Sequence, residues 1–239
     1  MRVLLFFGMV HMKRLKYFSA FEKGLWLTSV ILISISFFAF DRVNYLTYIA
    51  SVTGATSLIF NAKGNPFGQL LMVIFSALYG IISWSFAYYG EMITYMGMTG
   101  PMAAFALVAW LRNPFKGNRA EVAVNRISKL EWGIMLLLTA IVTVIFYFIL
   151  RYFNTANLLL STISVTTSFA AVYLTFRRSQ YFAIAYALND IILIALWTLA
   201  SMEDSSYISV CICFITFLFN DIYGFIAWNR MHKRQLQLS

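Results

Sequence analysis

Ser164-Val165-Thr166 repeats Ser51-Val52-Thr53, and at the same separation Trp197 repeats Trp84 and the acidic Asp204 repeats Glu91. Further along, Ala227-Trp228-x-Arg230 repeats Ala109-Trp110-x-Arg112. Matches this sparse carry weight because each copy holds three apolar segments in the same order. An internal repeat in an apolar chain is a recurring signature of transporters, whose substrate site lies between the copies. The positions where the copies differ then become the informative ones.

The 239 residues are 61% hydrophobic and 11% charged, with a mean hydropathy of +0.76. Soluble domains average about 45–50% apolar and about 25% charged, so this composition is that of an integral membrane protein. A β-barrel needs alternating strands of about 10 residues, whereas the runs here are continuous and about twice as long. Only helices fit. Cys211 and Cys213, two residues apart in an apolar run, point to opposite sides of a helix and read as small packing residues. No small-residue cleavage site follows the opening Met1–Val10, and Met12-Lys13-Arg14 reads as an alternative start.

Eight spans are expected, at 24–40, 44–61, 66–89, 94–111, 132–150, 157–176, 181–202 and 206–229. Of the 18 Lys and Arg, only Arg42 and Arg151 fall in one set of loops, and all the others fall in the opposite set. Cytoplasmic loops carry the basic excess, which places both termini in the cytoplasm. The formal charge of +9 is then a matter of topology, and nucleic-acid binding is not expected. With the first helix set aside, seven remain as three, one and three. The expected fold is an all-α membrane protein of two parallel three-helix repeats joined by a linking helix, with one extra N-terminal helix. Its divisions are 1–43 (tail and extra helix), 44–112 (first repeat), 113–150 (loop and linking helix) and 151–239 (second repeat and basic tail).

Pro101 removes a backbone donor, and Pro101 to Arg112 spans only about 18 Å at about 1.5 Å per residue, short of a core of about 30 Å. A kinked or partly unwound hinge is therefore expected at Pro101. In the loop Asn113–Glu131, Val122, Val124, Ile127 and Leu130 alternate with charged residues, which is read as a short interfacial helix.

Asn189-Asp190 and Asn220-Asp221 interrupt apolar helices. A central aspartate costs roughly 2.5–3.5 kcal/mol on insertion scales, so Asp190 should face the bundle or a wet cavity. Seven residues return to nearly the same helix face, which aligns Asp190 with Trp197, while Asn220 and Tyr223 share a neighbouring face. The first copy has Ser76-Ala77 in place of Asn189-Asp190, keeps Trp84, and adds Tyr79 and Tyr88. A cavity lined by Asn189, Asp190, Trp197, Asn220, Tyr223, Trp84, Tyr79 and Tyr88 suits a small, flat, polar ring, with added attraction for a cationic one. The bland reading is that Asn and Asp hold the bundle together across helices. Both histidines, His11 and His232, lie in basic tails, and no catalytic motif, metal-ligand cluster or cofactor motif is present. An intramembrane two-aspartate enzyme would leave the repeat unexplained.

Several strings together resemble the Pnu family of bacterial vitamin transporters. They are Ala62-Lys63-Gly64-Asn65, Tyr89-Gly90-Glu91-Met92, Trp110-Leu111-Arg112-Asn113-Pro114, Thr175-Phe176-Arg177-Arg178, Asn189-Asp190 and Asn220-Asp221-Ile222-Tyr223-Gly224-Phe225. The resemblance implies a SWEET-like fold, a homotrimer in the bacterial cytoplasmic membrane, no cofactor, and facilitated diffusion of nicotinamide riboside. Relatives that carry thiamine, riboflavin or deoxynucleosides, and sugar carriers on the same fold, supply the alternative cargoes. One departure concerns stacking. The family commonly has a tryptophan one turn before Asn189, where this chain has Ala185.

Overall fold

The computed structural model describes residues 17–85 and 89–238; Tyr88, Met1–Val10 and the start read at Met12 lie outside them. Among the described residues eight helices follow one another. They are α1 (Ala20–Asp41, π-helical from Phe37), α2 (Tyr45–Ala62), α3 (Pro66–Ser85), α4 (Tyr89–Arg112), α5 (Lys129–Tyr152), α6 (Leu158–Phe176), α7 (Phe182–Ser201) and α8 (Ser205–Leu238). Two starts are written in the sequence as Ser-x-x-Glu. Ser19 and Glu22 exchange side chain-to-backbone bonds at α1, and Ser128 and Glu131 do the same at α5. Each such box satisfies two orphan N–H groups.

Seven of the helices are long and apolar enough to cross a membrane. The exception is α2, expected as a span from its length; Thr47, Ser51, Ser57 and Asn61 make it more polar, and all four are buried. Helix α8 runs to Leu238, well past the expected end near 229, because its basic last turns pack onto a neighbouring segment.

Helix α3 packs between α2 and α4, and α7 packs between α6 and α8. The two groups meet where α8 contacts α2 and α4 contacts α6, while α1 lies against α8 and α2. Helix α5 touches mainly α6 and turns Leu136, Leu137 and Phe148 outward. The end of the bundle that holds Lys63, the 113–128 segment, Arg177-Arg178 and Arg230–Arg234 is termed the basic end. The opposite, far end holds Arg42 and Arg151.

The interfacial helix expected within 113–131 is instead an antiparallel hairpin, β1 (Pro114–Phe115) with β2 (Asn118–Val122). The alternation of apolar and charged residues there is the two-residue period of a strand. Lys116 (φ 47°) and Gly117 (φ 80°) form the two-residue turn whose twist suits a hairpin. Val122 is fully buried, and its N–H donates to Gly64 O at 2.9 Å. Gln235 of α8 donates to Val122 O (3.0 Å) and accepts from Val124 N–H (2.8 Å).

The chain is not unwound at Pro101, which lies at the start of the α-helical stretch Gly100–Arg112, but Thr94–Thr99 just before it is π-helical. Proline offers no N–H to the preceding turn and its ring crowds that turn's carbonyl, and a widened turn relieves both.

Candidate functional site

Seven residues separate Asn189 from the basic-end start of α7, about 10 Å at about 1.5 Å per residue, and eight more lead to Trp197. Asn189 is thus midway through the bundle, and it is 4% exposed. Opposite it, α6 presents Ser164, Thr167 and Ser168, whose spacing of three and four places them on one face. All three hydroxyls donate to Asn189 Oδ1, at 3.3, 2.8 and 3.0 Å. A carbonyl held by three donors has a fixed orientation, and the amide nitrogen is left as the group that can address something else.

The next residue, Asp190, is 3% exposed, and its carboxyl group lies within hydrogen-bonding and Coulombic reach of Asp221 on α8. A hydrogen bond between two carboxyl groups needs a proton on one of them. Among the described residues Asp190 Oδ2 is buried with no partner, and so is Ser76 Oγ on α3. Tyr186 is close enough to interact with both aspartates, and Tyr95 with Asp190. A buried polar oxygen without a partner costs about 1–3 kcal/mol unless something meets it. The middle of the bundle therefore holds buried polar groups whose hydrogen-bonding capacity is not used up within the described chain.

Toward the far end, aromatic rings close over this layer. Tyr79 and Trp197, both 5% exposed, meet edge to face at 6.5 Å. Tyr95 lies 4.3 Å from Tyr79, and Phe214 lies 6.4 Å from it. Above them a small depression opens between Asp41, Asn44, Ser83, Ser206 and Tyr207, with Tyr79 and Trp197 also in its lining.

The structure thus brings Asn189, Asp190, Trp197 and Tyr79 into one column. Of the other predicted residues that are described, Trp84, Asn220 and Tyr223 make their contacts elsewhere. Trp84 is 63% exposed on the outside of α3, since five residues from Tyr79 is well round the helix. Asn220 donates to Ser29 Oγ of α1 at 2.8 Å, and Tyr223 donates to Glu22 of α1 at 2.8 Å. Glu22 in turn pairs with Lys63 at 3.2 Å. The extra helix that the repeat leaves over is what Asn220 and Tyr223 hold. Ala185 packs into the apolar cluster of the basic end.

Ser164, Thr167 and Ser168 had no place in the expected site, although three hydroxyls on one face of an apolar helix are a readable signal. Asp221 as partner of Asp190 depends on two helices meeting, and no spacing along the chain shows that.

Residues 44–230 match the family described as nicotinamide mononucleotide transporter. The chain is similar to the nicotinamide riboside transporter PnuC of Neisseria mucosa, with 25% identity over 217 residues, 89% of this chain and 82% of that one. It is also similar to PnuC of Haemophilus influenzae, with 20% identity over 210 residues, 87% of this chain and 90% of that one. A crystal structure of the vitamin B3 transporter PnuC matches with a TM-score of 0.79 at 22% identity, covering 91% of this chain and 94% of that one. At that identity the match speaks for the fold.

Proposed function

The chain belongs to the nicotinamide mononucleotide transporter family, and from that premise we propose that it carries nicotinamide riboside across the membrane by facilitated diffusion. The observation that carries this reading is the central column. Asn189, oriented by three hydroxyls, stands next to Asp190, whose Oδ2 has no partner among the described residues, beneath the rings of Tyr79 and Trp197. Nicotinamide riboside has a cationic pyridinium ring, a carboxamide and a ribose. An amide N–H donor suits the carboxamide oxygen, carboxyl oxygens suit the cation, and indole and phenol faces suit the ring.

Helices α2–α4 and α6–α8 are read as parallel repeats, residues 44–112 and 151–239, joined through 113–150, with 1–43 added in front. Alternating access between the repeats is the transport mode, and Pro101 with its π-helical turn is kept as a hinge. The excess of Lys and Arg supports assigning the basic end, and both termini, to the cytoplasm of a bacterium. A homotrimer in the inner membrane goes with the reading on family resemblance, and the outward apolar face of α5 offers contact for lipid or a neighbouring subunit.

Equilibrium binding of radiolabelled nicotinamide riboside to the purified protein tests the cargo. Saturable binding that thiamine and glucose do not displace is expected. Displacement by thiamine, or no saturable binding, would overturn the cargo. Recovery of the ligand chemically unchanged separates a carrier from an enzyme.

A further inference from the structure

The repeated Ala-Trp-x-Arg string plays no part in the ligand column, which leaves its two tryptophans to be explained. Trp110 of α4 donates its indole N–H to Thr175 O of α6 at 2.9 Å. Trp228 of α8 donates its own to Asn61 O of α2 at 2.7 Å. Thr175 and Asn61 are the penultimate residues of their helices. Each half therefore holds the end of the other half's first helix, by the same bond at the same position.

The correspondence continues past the helix ends. Two residues on, Gly64 (φ 66°) and Arg178 (φ 57°) both turn left-handed. Their N–H groups return to Asn61 O and Thr175 O, each at 2.9 Å. Their carbonyls accept from the connecting segment, Gly64 O from Val122 N–H at 2.9 Å and Arg178 O from Asn125 N–H at 3.0 Å. One short strap thus bridges equivalent loops of both halves. Trp110 and Trp228 are fully buried with ring centroids 5.3 Å apart, and Phe182 sits edge-on to Trp228 at 4.8 Å. This plug lies about 10 Å below Asn189 along α7.

We propose that Trp110 and Trp228 form the gate of the basic end, a reciprocal latch whose two bonds break together when that end opens to pass the cargo. The acceptors are main-chain carbonyls already held by a turn, so the latch sets the register of the two halves. On opening, the indole N–H groups exchange their carbonyls for water, a replacement with a small net cost that suits a reversible gate. The inference rests on the transport reading but not on the cargo, because its test needs no substrate.

Ala106, fully buried four residues above Trp110 on α4, serves as reporter. In a background with Cys211→Ala and Cys213→Ala, Ala106→Cys is exposed to a charged thiol reagent in right-side-out and inside-out membrane vesicles. Trp110→Phe and Trp228→Phe each remove one donor and keep a ring. Each should raise labelling from the basic end by about fivefold, the weight of one hydrogen bond on an opening equilibrium. Far-end labelling of Ser83→Cys should not rise. No increase at Ala106→Cys, an increase with only one of the two variants, or an equal increase at both ends would each overturn the gate. Should the phenylalanine variants fail to fold, hydrogen exchange of the wild-type protein in lipid decides. The Val122 or Asn125 N–H must exchange faster than the flanking helical amides, and full protection of both would sink the proposal.

Discussion

The two ends of this bundle are closed by different physics. At the basic end, Trp110 and Trp228 reach across to fixed main-chain carbonyls, and a strap spans both halves. At the far end the halves meet through ring contacts, Tyr79 with Trp197 and Phe214. Hydrogen bonds to backbone carbonyls are directional and hold one register. Edge-to-face rings tolerate sliding and rotation, each contact contributing about 0.5–1.5 kcal/mol. A depression already reaches the far-end rings, whereas the basic-end indoles have no exposed surface. One end aligns the halves, and the other seals them.

The largest expected effect tests that alignment. A Cβ at Gly68 would lie 2.2 Å from Asn61 Oδ1 and 2.7 Å from its backbone nitrogen. Gly68→Ala should therefore displace the residue whose carbonyl Trp228 holds, and destabilise the protein by about 2–3 kcal/mol. Thermal unfolding in detergent measures it, and an unchanged midpoint would mean that the basic end is pliable. Next comes the layer between the ends. Asn189→Ala removes the acceptor of three hydroxyls and the donor offered to the ligand, and should weaken nicotinamide riboside binding about tenfold or more. Full affinity in a folded variant would return Asn189 to a purely structural role.

Smaller effects sharpen the symmetry. Trp110→Phe and Trp228→Phe should each lower stability by about 1 kcal/mol and agree within about 0.5 kcal/mol, as equivalent bonds require. A clear inequality would show that the correspondence is geometric but not energetic. Trp84→Leu should be smallest, within about 0.5 kcal/mol and with binding unchanged, because the side chain lies outside the column. A loss of binding there would bring Trp84 back into the site.

Trp84 and Trp197 show how far the letters could be trusted. They align as repeats, yet one is 63% exposed and the other 5%. Alignment pairs positions along the chain, and it says nothing of which helix face the neighbours cover. Asn220 and Tyr223 were legible as polar groups too costly to face lipid, and each donates a hydrogen bond, although Asn220 Oδ1 has no partner among the described residues. Their partners are Ser29 and Glu22 of α1, a helix that the repeat pattern could only set aside. The hairpin at 114–122 was misread even though its two-residue alternation and Lys116-Gly117 turn were in plain sight; a basic loop beside a membrane favoured the amphipathic helix. Asn189 and Asp190 were legible because polar groups in a central apolar helix carry a large insertion penalty.

Sequence alone determined that this chain spans a membrane as helices, where those helices run, and which few polar residues interrupt them. Each of these is a local property, set by apolar run length and by the cost of placing amide and carboxylate groups in hydrocarbon. Only the tertiary structure decided which groups meet: Asn189 with three hydroxyls of α6, Asp190 with Asp221, and each indole with the other half's helix end. The reason is distance along the chain. A residue's own neighbours set whether it lies in a helix that crosses the membrane, but its partner is set by how two helices, 65 residues apart for Trp110 and Thr175 and 167 for Trp228 and Asn61, pack side by side.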